Sequence, residues 1–151
     1  MIFRKLIIAA VLGLGLAAQA VAQETPVQVM KTSTCGCCVA WMEHLNKNGF
    51  VTHGHDMLHE ALIRYKTDKG VPEEISSCHT ANVDGYIVEG HVPAVDIRRL
   101  LKERPDAIGI GVPGMPLGSP GMDFGGRNQA FDVFLIKSDG TTEVFSSHPA
   151  K

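Results

Sequence analysis

The sequence lacks the marks of several function classes. It has no block of lysines and arginines, and its 14 basic side chains are outnumbered by 16 acidic ones. That leaves no footprint for nucleic acid or for an anionic membrane surface. Aromatic residues are few, 6% of the chain with a single tryptophan, and no internal repeat is visible. Only one stretch is long and apolar, and it lies at the N-terminus. Cysteines number four, but three fall within four consecutive residues, Cys35-Gly36-Cys37-Cys38. At most one of those three could pair with Cys78, and the other two would have to bridge at very short range, which is strained for neighbours. This spacing argues against a framework of two disulfides.

The N-terminal stretch reads as a secretory signal peptide over residues 1–22. Arg4 and Lys5 supply the positive start, Leu6 to Leu16 the apolar run, and Ala20-Val21-Ala22 the small-residue cleavage pattern. The run is short for a membrane span of about 20 residues, so no membrane span is expected after signal cleavage. Removing 22 of the 151 residues leaves 129, the size of one domain. Without Arg4 and Lys5, 12 basic side chains face 16 acidic ones, a net charge of about −4. Export places the cysteines in an oxidising compartment, the periplasm, where disulfides form and persist.

The pattern along the chain alternates strand and helix. Residues 27–30 alternate as a strand, and a helix follows over 37–47 with Val39, Trp41, Met42 and Leu45 at helical spacing. Residues 50–53 form a second strand, and 58–69 a second helix stopped by Gly70 and Pro72. Residues 73–82 read as a loop carrying Cys78 and His79. A third strand covers 86–88, and a third helix starts at Pro93 and runs to about Lys102. Residues 109–126, with seven glycines and three prolines, read as one long loop. A hairpin closes the chain, 131–136 and 142–145 around Ser138-Asp139-Gly140. The order predicts an α/β fold, a mixed sheet with flanking helices and a long Gly/Pro/Met loop before a C-terminal hairpin, over residues 26–148. With a Cys motif at the first strand-to-helix turn and a proline before the hairpin, it resembles the thioredoxin-like fold. In thioredoxin-like proteins a cis-proline precedes a closing hairpin and faces the cysteines; the matching position here is Pro116.

Cys35 and Cys38 have the spacing of a redox pair, at a helix N-terminus that favours thiolate. A thiol-disulfide oxidoreductase using Cys35 and Cys38 is thus one reading. Cys37 points elsewhere. A dithiol catalyst needs two sulfurs, and a third gives competing disulfides, whereas a metal site gains from every added thiolate. Sulfur is soft and selects Cu(I) or zinc. Met115 and Met122, in the glycine-rich loop, tip the balance to copper, because thioether binds Cu(I) and binds zinc poorly. A zinc-stabilised module is the remaining alternative. Cys78 and His79 form a second candidate ligand pair, and His91 a further one before Val92-Pro93. His53 and His55 share one face of a strand, either as an imidazole pair or, the simpler reading, as solvated surface histidines. His44 and His59 read as exposed helix residues, and His148 as a bystander at a frayed end.

These residues carry a resemblance. Cys35-Gly36-Cys37-Cys38-Val39-Ala40-Trp41, Ser77-Cys78-His79-Thr80-Ala81, the run Tyr86 to Ala94, and Gly114-Met115-Pro116 with Gly118 to Met122 look like periplasmic copper-resistance proteins of the CopG type, formerly a domain of unknown function. The resemblance spans about residues 26–147. It implies a thioredoxin-like fold, and copper held by thiolates at Cys35, Cys37, Cys38 and Cys78 in a multinuclear cluster. It also implies a redox role for that copper, and partners among other periplasmic copper-resistance proteins.

Overall fold

Burial alternates along the first strand, with Val27, Val29 and Lys31 inside and their neighbours half-exposed, and this strand lies inside the sheet. The computed structural model describes residues 25–150, so the signal-peptide expectation lies outside the described residues. The elements are β1 (Thr25–Lys31), α1 (Gly36–Lys47), β2 (Phe50–Asp56), α2 (His59–Asp68), a short 3-10 turn (Glu73–Ile75), β3 (Thr80–Val83), β4 (Tyr86–Glu89), α3 (Ala94–Glu103), β5 (Gly109–Gly111), β6 (Phe131–Ile136) and β7 (Thr142–His148). They build one seven-stranded mixed sheet in the order β2-β1-β3-β4-β5-β6-β7. β1 runs parallel to β2 and antiparallel to β3, and β3 and β4 form a hairpin.

The sheet has two unlike faces. On one, Val27 and Val29 pack with Trp41 and Leu45 of α1 and with Ile97 and Leu100 of α3 in the principal core. Each such aliphatic side chain, fully buried, contributes roughly 1.5–3 kcal/mol. On the other face lies α2, where Lys66 reaches Thr80 and Glu89. Among the described residues no helix is long and apolar enough to cross a membrane.

Three expectations are corrected here. Thr80–Val83 is a strand and not part of a loop. Gly109–Gly111 is β5, paired with both β4 and β6; a Cβ on Gly109 would lie 1.8 Å from the Ile87 carbonyl oxygen, so only glycine lets the two backbones approach this closely. The thioredoxin-like core is β1 to α3, and its hairpin is β3–β4, with β5 to β7 extending the sheet beyond it. The residues that precede that hairpin and face the cysteines are Cys78 and His79. Pro116 does not take that role, and no cis peptide bond occurs among the described residues.

Candidate metal centre

The turn from β1 into α1 places the motif. Cys35 is the N-cap of α1, and its amide donates to the Thr32 carbonyl. Cys37 and Cys38 occupy the first helical turn. Cys35 and Cys38 are joined as a disulfide with their Cα atoms 5.4 Å apart, a spacing that one helical turn supplies without distortion. Cys37 and Cys78 are free. The Cys37 sulfur lies 3.6 Å from that of Cys35 and 3.8 Å from that of Cys78. Sequence positions 35 to 38 and 78 thus meet because β3 lies beside β1.

Cys78 belongs to two donor groups. One is Cys35, Cys37, Cys38 and Cys78; the other is Cys78, His79 and His91. In each, the ligand atoms lie within 4.8 Å of one another. The Cys78 sulfur is 3.1 Å from His91 Nε2 and 3.3 Å from His79 Nδ1. His91 Nδ1 is 2.8 Å from the Pro120 carbonyl oxygen. Only a protonated Nδ1 makes that bond, so the Nε2 lone pair faces the sulfur, the arrangement by which an outer carbonyl orients a metal-ligating imidazole. His79 is fully buried, packed against Trp41 with ring centroids 4.4 Å apart and ring planes tilted by 44°. Its Nε2 is the one buried side-chain nitrogen or oxygen among the described residues without a hydrogen-bond partner. Buried orphans of this kind are rare and point to a missing partner. Two free thiols and two imidazoles together fit a soft or borderline metal ion.

The glycine-rich loop closes over this centre. Gly121 sits at φ +83°, where a Cβ would meet the Trp41 amide nitrogen at 2.7 Å and the Cys37 carbonyl at 2.8 Å. Ser77 Oγ donates to the Gly114 carbonyl at 2.5 Å. Met122 is buried in this loop, next to Gly121, and Met115 is half-exposed, next to Gly114. A cleft of about 340 Å³ opens beside Cys78, lined by Thr32, His59, Leu62 and Lys66 among others.

The electrostatics ready the imidazoles for an ion but keep the Cys78 thiol protonated. Burial, with the neighbouring Cys37 thiol, pushes the Cys78 thiol up to about 12, so a metal must displace its proton. Burial holds His79 well below its ordinary value of 6.5, reinforced by His91 and Lys66. Burial also lowers His91, opposed by the Pro120 carbonyl. Both imidazoles are therefore neutral at pH 7. Above pH 6.5 neither the folded nor the unfolded form of His79 carries the extra proton. As pH falls below 6.5, the unfolded chain takes up a proton that the buried ring refuses, and stability is lost. Metal-free protein is expected to melt at a lower temperature at about pH 5.5 than at about pH 7.5, and His79→Gln to flatten that slope. Calorimetry across the range checks it; an unchanged slope in the variant would overturn it.

The remaining histidines separate cleanly. His53 and His55 are exposed on the edge strand β2 and join neither donor group, and His55 Nε2 is bonded to Gln28 at 2.7 Å. His44 is not a free surface residue: its Nε2 accepts the Ala94 amide at 3.2 Å and so caps α3. His148 is no bystander either; it lies in β7, 2.8 Å from Asp96 and stacked on Phe131.

The comparisons with known proteins agree with this geometry. Residues 75–122 match the family described as "Protein of unknown function, DUF411". Two solved structures are similar over most of the chain. One, titled "Copper resistance protein copG- Form 2", is 42% identical, covers 84% of this chain and 100% of its own, and superposes with a TM-score of 0.79. The chain belongs to the CopG family of copper resistance proteins. The second structure, Form 1 of the same protein, is also 42% identical, covers 84% of this chain and 99% of its own, and has a TM-score of 0.77. No curated protein matches. The DUF411 match begins at Ile75 and ends at Met122, and so holds Cys78, His79, His91, Met115 and Met122 but not the Cys35–Cys38 motif.

Proposed function

We propose that this protein binds copper as Cu(I) in the periplasm during copper resistance, sequestering it or converting it between oxidation states. Cys35, Cys37, Cys38 and Cys78 supply thiolates, and His79 and His91 supply imidazoles. Met115 and Met122 offer thioethers from the covering loop. The observation that carries this reading is Cys78, whose sulfur lies within reach of both Cys37 and His91. A centre built from soft sulfur and neutral imidazole favours Cu(I) over magnesium, calcium or manganese. Full use of the four sulfurs requires the Cys35–Cys38 bond to be opened by two electrons and two protons.

A second reading is favoured by that bond itself, which is the state a thiol-disulfide oxidoreductase passes through. One set of proteins separates the two. Under anaerobic reduction, the mature domain should take up Cu(I) with thiolate absorption, and the triple variant Cys35→Ser/Cys37→Ser/Cys38→Ser should lose most of it. An unchanged Cu(I) stoichiometry in the triple variant would sink the copper reading. Reduction of a protein disulfide by metal-free protein, lost in Cys35→Ser and kept in Cys37→Ser, would establish the second.

A further inference from the structure

A charged pair lies buried directly behind the centre. Glu89, the last residue of β4, has no solvent exposure, and Lys66 of α2 is almost as deep. Their ion pair is 2.5 Å long. Burying two charges costs several kcal/mol each, and an apolar pair of similar volume is commonly as stable or more so. Stability alone therefore does not account for the pair.

Its hydrogen bonds show what it does. Glu89 Oε1 accepts the Ser77 amide at 2.7 Å, and Glu89 Oε2 accepts the Thr80 hydroxyl at 2.6 Å. Lys66 Nζ also donates to Thr80 Oγ1 at 2.8 Å. Ser77 and Thr80 are the residues on either side of Cys78-His79. One carboxylate thus holds both ends of the dipeptide that carries a thiol and an imidazole of the centre. The Gly90 amide, next to Glu89 in the chain, donates to the His79 carbonyl at 3.0 Å and closes the frame.

We propose that Glu89 is a positioning residue for the copper centre, its carboxylate bracketing Cys78-His79 so that sulfur and ring face the ion, with Lys66 as the counter-charge that lets it stay buried. This rests on the copper reading above. It makes no use of Glu89 as a ligand.

Two double variants test it. Lys66→Met/Glu89→Gln removes both charges but keeps an acceptor for Ser77 and a polar partner for Thr80. Lys66→Met/Glu89→Leu removes the charges and the bracket together. In chelator competition, the Gln variant should bind Cu(I) like the unaltered protein, and the Leu variant about 10- to 100-fold more weakly, the usual cost of losing an outer-shell partner. X-ray absorption should show fewer sulfur and nitrogen donors in the Leu variant alone. In metal-free, reduced protein, Cys78 should be alkylated several-fold faster in the Leu variant, with Cys37 unchanged. Equal behaviour of the two double variants, in binding and alkylation, would overturn the proposal. If the Leu variant does not fold, Thr80→Val against Thr80→Ser reads the same contrast, and parity between them has the same force. Failure of the unaltered protein to bind Cu(I) would remove the copper reading, while the alkylation contrast would still decide the bracket.

Discussion

Cys78→Ser should cost more Cu(I) affinity than serine at any other single cysteine. The expectation follows from geometry. Cys35, Cys37 and Cys38 lie in one donor group, but Cys78 lies in both. Its sulfur is the atom that brings the imidazoles of His79 and His91 to the thiolates of α1. Replacing it leaves a cysteine turn and a histidine pair with no shared atom. The loss should exceed the roughly 10- to 100-fold typical of an outer-shell change. Serine keeps the size and polarity, so the fold should persist. Competition against a Cu(I) chelator, run on the four single serine variants side by side, gives the ranking. Equal losses across the four, or a larger loss at Cys35, would overturn the view of Cys78 as the joint.

Trp41→Ala should produce the largest loss of stability and should damage the centre with it. Trp41 is fully buried, and its Nε1 donates to the Val92 carbonyl at 2.9 Å. The indole also packs against the His79 ring, with centroids 4.4 Å apart. Truncation of a buried tryptophan costs about 3–5 kcal/mol, a large part of the roughly 5–15 kcal/mol that holds a domain together. A fall in melting temperature of roughly 10–20 °C follows for a chain of this size. The cavity would also let the His79 ring turn away from Cys78. Trp41→Phe should recover most of the stability, because it refills the space, while leaving the Val92 carbonyl without its donor. Thermal melts of the three proteins, followed by Cu(I) titration of those that fold, test both halves. A Trp41→Ala protein that melts within a few degrees of the unaltered one would refute the packing argument.

Much of this architecture was legible in the chain, and the parts that were not have physical reasons. β1 and α1 were readable because their burial is one-sided, which leaves an alternating or helical pattern in the residues. β3 was not, because Thr80-Ala81-Asn82-Val83 is short and its burial barely alternates. β5 was hidden by composition: Gly-Ile-Gly resembles loop, and only the closeness of Ile87 explains the glycine. The cysteine motif could be read as metal-binding from its three sulfurs, and His79 and His91 could be named as candidates. Their meeting at Cys78 depends on β3 lying beside β1, a long-range pairing that no local pattern encodes. Pro116 was misplaced for the same reason, since a local match to a proline before a hairpin selected the wrong hairpin. Glu89 carried no local mark. Lys66 did carry a faint one, as a lysine four residues after Leu62 on the buried stripe of α2.

The bond between Cys35 and Cys38 closes a loop of only a few residues. In the chain-entropy account, so small a ring restricts the unfolded ensemble little, by about 2 kcal/mol, against nearly 5 for a hundred-residue loop. Opening or closing it therefore changes the donor set at the motif far more than it changes the balance between folded and unfolded chain. In the proposed copper role the oxidation state of the motif is then a local chemical variable, worth about 2 kcal/mol to the fold against the roughly 5–15 kcal/mol that holds a domain together.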